Sequence, residues 1–201
     1  MLFIGACFIY IHNYTYKLQN SYGDVKVYNV SKDDLTKSHV AYDLEYVEVE
    51  DIFDKYDTNI IEGEVKEIRY INIKVGERRE ARAIVKFDVK KVFRGKVSEG
   101  QIVEILMPVY STISKVSDCV EVGDIAIFMV VEYDKDGKEY YLKSGGNKLV
   151  LRDVADYGVL NGVNWIFLNK GETFIFAKDL YKDIADVKSW EEIREYISSK
   201  V

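Results

Sequence analysis

The chain has 201 residues, enough for one ordinary domain with attachments, and a chain of this size buries about 70% of its unfolded surface without help from disulfides. Hydrophobic residues at 48% and charged residues at 31% describe a globular chain rather than a disordered one. A net charge of -6 with no run of Lys and Arg speaks against nucleic acid, because binding phosphates takes a concentrated cationic face.

Lys90, Lys91, Arg94 and Lys96 come closest to such a face, but strand alternation divides them and acids lie nearby, so a solvated sheet surface is expected there. The sixteen Tyr accompany abundant Ile, Lys and Asn, which fits an AT-rich coding bias; Tyr is also a good strand former with a polar tip. Cys7 and Cys119 lie in very different settings. Cys119 is expected to be buried as a small hydrophobe, and a bridge to Cys7 stays open unless Cys7 is embedded in a membrane.

Met1 to Ile11 is almost uninterrupted apolar sequence, followed by His12, Asn13 and polar residues. Crossing a bilayer takes about twenty apolar residues, and this run is roughly half that. Residues 1–14 therefore read as an anchor or signal remnant whose expected start lies upstream of Met1, placing the chain outside the cytoplasm, anchored or secreted. Ile4-Gly5-Ala6-Cys7 resembles a lipoprotein lipobox, which makes Cys7 a candidate for lipidation, although the residues after it stay apolar. The anchor is the preferred reading, and a strand or helix buried in the domain is a third.

Residues 15–45 mix Tyr, Asn, Ser, Lys and Asp without periodicity and read as a spacer, with one short strand over Val25 to Val30. The domain proper is expected over residues 46–201. Val49, Ile52, Phe53 and Tyr56 fall at helical offsets and predict a short amphipathic helix, stopped by Asp57, Thr58 and Asn59. Ile60 to Tyr70 alternates, with Ile61, Gly63 and Val65 inward and Glu62, Glu64 and Lys66 outward, until the phase slips near Glu67 and predicts a β-bulge.

After a turn at Gly76 to Arg79, Ala81 to Phe93 reads as a long strand with Ala83, Val85, Phe87 and Val89 inward. Such a length implies the bend of a barrel strand. Turns at Arg94-Gly95-Lys96 and Glu99-Gly100 lead to a strand over Gln101 to Met107, closed by Pro108. Tyr110 to Val122 reads as a long loop. Asp124 to Tyr133, apolar on both faces, is the expected most buried strand.

Asp134 to Gly137 is expected to fold that strand back on Glu139 to Lys143 as a hairpin, and Gly145-Gly146 to turn the chain into Asn147 to Arg152. Short strands follow at Trp165 to Leu168 and Glu172 to Phe176. Ser189 and Glu192 have capping-box spacing for a final helix with Trp190, Ile193, Tyr196 and Ile197 inward. The fold class is mainly β, an OB-like small β-barrel with a short helix before it and a C-terminal helix.

Three stretches carry a further likeness: VEDIFDKYDTNIIEGEVKEI, VKFDVKKVFRGKVSEGQIVEIL and VGDIAIFMVVEY. Together, from Val49 to Val131, they span about two-fifths of the chain. This order of helix, acidic turn, glycine-centred strand, strand ending in Phe-Arg-Gly and buried strand after Val-Gly-Asp resembles bacterial exported proteins with an OB-like barrel related to the netrin and tissue inhibitor of metalloproteinases fold. In the inhibitors an N-terminal cysteine chelates the protease zinc through its amino group and carbonyl. Cys7 does not stand at a processed polar N-terminus and Cys119 has no evident partner, so the resemblance implies the fold and not zinc-protease inhibition.

No chemistry-bearing constellation emerges. His12, His39, Cys7 and Cys119 are scattered singly, so no metal site, nucleophile with its base, or cofactor is expected. Glu132, Asp134, Asp136 and Gly137 partly mimic a calcium loop, but Lys143 stands where the closing acid belongs, which leaves a plain turn. Ser144 to Lys148 has the wrong spacing for a phosphate loop. The expected function is a membrane-tethered, extracytoplasmic binding module, non-catalytic, meeting the membrane through its N-terminus and an envelope protein or extracellular ligand through loops Tyr110 to Val122 and Val154 to Asn164. Two alternatives stand beside it: a carboxylate-dependent enzyme acting on envelope glycan, and a structural spacer of an envelope assembly.

Overall fold

The structure, a computed structural model, describes residues 16–35, 48–109, 119–135, 137–159 and 162–201. Cys7, His12, His39 and most of the 110–122 loop lie outside these residues, as do the apolar N-terminus and the lipobox-like tetrad. Among the described residues no helix is long and apolar enough to cross a membrane.

The elements in chain order are β1 (Val25–Val30), α1 (Val49–Asp54), β2 (Thr58–Val75), β3 (Arg78–Arg94), β4 (Ile102–Pro108), β5 (Ile125–Glu132), β6 (Tyr141–Ser144), β7 (Asn147–Val150), β8 (Tyr157–Gly158), β9 (Ile166–Asn169), β10 (Phe174–Ile175) and α2 (Trp190–Ser199). The main sheet runs β1-β2-β3-β4-β8-β5-β9-β10, and an added β2–β5 pairing bends β2-β3-β4-β8-β5 into a ring. All its pairings are antiparallel except β4–β8. The fold is mainly β, an OB-like barrel that is only partly closed, as the sequence patterns predict.

Closure rests on β8, two residues long, which pairs Leu106 of β4 on one side and Val131 of β5 on the other through Gly158. A side chain at Gly158 would run into the Tyr133 hydroxyl, so the seam needs glycine for close approach. Within the segment Val154 to Asn164, expected as a contact region, residues 154–159 carry this seam, with Val154, Ala155, Tyr157 and Val159 buried.

Strand registers place Ile61, Val65, Val85, Phe87, Val103, Ile105 and Phe128 on the inner face of the ring, where all are buried. Phe87 and Phe128 meet edge to face at 4.9 Å. The slip near Glu67 is a bulge: Val65 pairs with Phe87 and Glu67 with Lys86, leaving Lys66 over. Beyond it the faces exchange, so Ile71, Ile73 and Val75, also fully buried, lie on the side opposite Val65.

The predicted strand at 25–30 forms as β1. Rather than standing off in a spacer, it pairs along the far half of β2, from Val25 with Val75 to Val30 with Tyr70. The predicted hairpin after β5 does not form. Asp134 turns its carboxylate back to accept the backbone N–H groups of Lys138 and Tyr140, and β6 pairs with β7 in a sheet of its own. The tight hairpin is therefore at Gly145-Gly146, and this small sheet packs on β1 and β2.

The outward face of the β2–β5–β9 sector is covered by the helices. Ser189 caps α2, its hydroxyl accepting from Glu192 N and meeting the Glu192 carboxylate at 2.8 Å. Trp190, Ile193 and Ile197 are buried against the sheet, and Phe167 of β9 lies 4.7 Å from the Tyr181 ring. This cover overturns the expectation that Glu62 is solvated: it is 3% exposed. Its carboxylate accepts from Trp190 Nε1 at 2.9 Å and from Arg194 Nη2 at 2.6 Å.

Candidate functional site

The open end of the ring carries a cleft of about 340 Å³. Its walls come from Asp57 just before β2 and Asn59 at its start, the β3–β4 turn (Gly95, Lys96), the end of β5 (Val131, Glu132) and the Glu139-Tyr140 pair before β6. Each wall is a turn or strand end anchored to the ring, which is where rigid scaffolds present variable chemistry.

Asn59 forms the floor. It is buried, and its Oδ1 accepts from Lys96 N at 2.8 Å and Val97 N at 3.4 Å, pinning the turn after β3. Gly95 has φ +115°, and a Cβ there would collide with the Asn59 side chain, so both the backbone and the space demand glycine. Arg94, at the end of β3, donates to the carbonyls of Phe53 and Thr58 and to the Thr58 hydroxyl, tying α1 to the start of β2. Burial pulls the Arg94 guanidinium below its ordinary range, against the opposing pull of Asp57 and Asp54.

On the opposite wall, Asp134 fixes the Tyr140 backbone at 3.1 Å, and the Tyr140 ring packs against Tyr133 at 5.4 Å. Burial raises the Tyr140 phenol above its ordinary range, and Glu139, Asp134 and Asp57 push it the same way. Tyr133, fully enclosed, is raised further by burial. Glu132 is held by Arg152 at 3.4 Å.

The cleft thus brings Asp57, Glu132 and Glu139 together with one ammonium, Lys96, and one aromatic ring, Tyr140. Small-molecule pockets are mostly apolar; this one is polar and negative, a lining that attracts cationic groups and offers a ring face to them. Of the three acids, the sequence points only to Glu132, as part of a partial calcium-loop pattern. In that stretch the Asp134 carboxylate accepts the backbone N–H groups of Lys138 and Tyr140. Among the described residues no group of His, Cys, Asp and Glu is arranged to hold a metal ion.

The basic cluster does not converge. Lys90 pairs with Asp88 at 2.6 Å, Lys91 lies over the Phe93 ring, Arg94 is spent on carbonyls, and only Lys96 reaches the cleft. Cys119 is a half-buried free thiol. Ser144 to Lys148 is the β6–β7 turn, as its spacing implied. The chain matches no known family model, and neither a curated protein nor a solved structure matches it.

Proposed function

We propose that this chain is a membrane-tethered, extracytoplasmic binding module, non-catalytic, whose cleft takes a cationic segment of an envelope protein or extracellular ligand. The observation that carries it is the cleft itself: three acids and a tyrosine ring from three separate segments, fixed on one barrel end. The netrin-like relation remains part of the proposal and rests on the order of helix, bulged strand and Phe93-Arg94-Gly95 turn. Tethering rests on the apolar run Met1 to Ile11, with Cys7 as the lipid acceptor if the anchor is a lipoprotein's.

Titrating the isotope-labelled chain with a Lys- and Arg-containing peptide should shift the amide resonances of Asn59, Lys96 and Tyr140, and salt should weaken the effect. Equal shifts with an acidic peptide, or none with either, would sink the cationic reading. Protease accessibility of a tagged chain in intact cells tests the location; full protection until lysis counts against it.

A second reading, a carboxylate enzyme acting on envelope glycan, is favoured by Asp57, Glu132 and Glu139 lining one concave surface. It requires that the chain release reducing ends from envelope glycan and that Glu132→Gln or Glu139→Gln abolish the release. Equal release by both variants would remove it.

A further inference from the structure

We propose that residues 20–24 form a latch whose docking on the turn at Leu151–Asp153 holds the cleft wall at Glu132, so that releasing this segment loosens the cleft. The latch side is built on Asp153. Its carboxylate accepts from Asn20 N at 2.9 Å, Asn20 Nδ2 at 3.1 Å and the Ser21 hydroxyl at 2.6 Å. The Ser21 oxygen in turn accepts from Val150 N at 3.0 Å. Tyr22 exchanges two backbone bonds with Lys148, at 2.9 and 3.0 Å, and Asp24 N donates to Asn147 Oδ1 at 2.7 Å.

The cleft side is built on the preceding residue. Arg152 Nη1 reaches Glu132 Oε1 at 3.4 Å, the Tyr133 carbonyl at 3.2 Å and the Asp156 carbonyl at 3.3 Å, while Nη2 pairs with the Asp156 carboxylate at 3.0 Å. Asp153 and Arg152 sit in one short 3-10 turn, whose Leu151 carbonyl accepts from both Val154 N and Ala155 N. A unit of three residues closed by its own hydrogen bonds cannot move one of these side chains far without the other. The latch contacts are polar and surface-lying, with Tyr22 55% exposed, which puts their opening at the low-energy end of local unfolding. The turn therefore has two states, latched and released, and the same turn sets the position of Glu132. The inference concerns the stiffness of the wall and stands whether or not the cleft takes a cationic partner.

Energetic coupling of this kind is reciprocal, and reciprocity gives the test. Amide hydrogen exchange is followed residue by residue in the full chain and in Asp153→Ala, Ser21→Ala and Arg152→Ala. Losing the charge-assisted bonds of Asp153 should speed exchange about tenfold at Asn20 and Tyr22. The same variant should speed it at Tyr133, whose N–H bonds the Asp156 carbonyl at 2.9 Å. Ser21→Ala should give the same pattern at about threefold, and it serves if Asp153→Ala does not fold. Arg152→Ala, which touches no residue of the latch, should speed exchange at Asn20 and Tyr22. The Phe128 amide, in the middle of β5, should keep its wild-type rate in every variant. Acceleration confined to 20–24 in Asp153→Ala, an unchanged latch in Arg152→Ala, or equal acceleration at Phe128 would each overturn the proposal.

Discussion

Arg194→Ala isolates what the covered face of the barrel costs and gains. Glu62 is 3% exposed, and its carboxylate has two partners: the Trp190 indole at 2.9 Å, and Arg194, whose Nε lies 2.9 Å from Oε2 and whose Nη2 lies 2.6 Å from Oε1. Removing the guanidinium leaves a buried charge with one neutral donor. Breaking a buried pair on one side costs about 3–5 kcal/mol. Arg194 itself is 34% exposed, so water reaches part of the vacated space and the expectation falls to about 2–3 kcal/mol. For a chain of this size that is roughly 5–10 °C in Tm. Urea unfolding should show a lower midpoint at unchanged slope. Replacing both partners, Glu62→Leu with Arg194→Met, should recover most of the loss, because an apolar pair needs no compensation in that place. A loss below about 0.5 kcal/mol for Arg194→Ala would be that of a surface pair and would refute the claim that α2 seals this face.

Gly158→Ala should cost about 2–3 kcal/mol by forcing the Tyr133 ring off the seam, and near-ultraviolet circular dichroism should register the displaced tyrosine. Asn59→Ala strips the acceptor from Lys96 N and the buried Val97 N and should cost about 1–3 kcal/mol, with faster amide exchange centred on 95–97. Lys170 bridges Asp124 at 2.8 Å and Glu121 at 2.9 Å, clamping the β9–β10 turn to the start of β5. Partial burial opposes the Lys170 charge, but the bonds to Asp124 and Glu121 outweigh it and leave this ammonium raised, while the same bond lowers Glu121. The Glu121 contribution is complete above the ordinary carboxylate range and fades as pH falls through its lowered value. The Lys170 contribution is complete below the ordinary lysine range and fades as pH rises through its raised value. Lys170→Met should flatten both ends of the Tm–pH curve; a curve that keeps its shape would remove the clamp from the account.

Local patterns carried most of the strand and helix reading. Alternation at Ala83, Val85, Phe87 and Val89, the double-faced apolar run of β5 and the spacing of Ser189 and Glu192 each answer to a nearest-neighbour rule, and each formed as expected. Even the bulge left a trace, because Ile68 and Tyr70 break the odd-numbered rhythm of β2. What escaped depends on distant cover. Glu62 reads as solvated because nothing near it in the chain announces that α2, more than a hundred residues away, lies across it. A strand of two residues has no period, so β8 reads as loop. The Asp134 to Gly137 stretch has hairpin composition, yet Asp134 satisfies the next amides by itself and the chain leaves the sheet. The cleft was illegible for a related reason: its acids stand at 57, 132 and 139, each plain turn chemistry until the ring closes.

Lys66, left over in the β2–β3 register, works as a half-turn in a ribbon. Ile61, Val65, Ile71, Ile73 and Val75 keep one parity along the chain, yet they serve opposite sides of the sheet because one residue is uncounted between them. Two buried faces are thereby written in a single alternating line. Deleting Lys66 would let Glu67 follow Val65 directly in the same register and keep Ile71, Ile73 and Val75 on their side, whereas straightening the strand with Lys66 counted would deliver Asn72 and Lys74 to that side. Both faces belong to one buried cluster, and the uncounted residue decides which side chains each face receives.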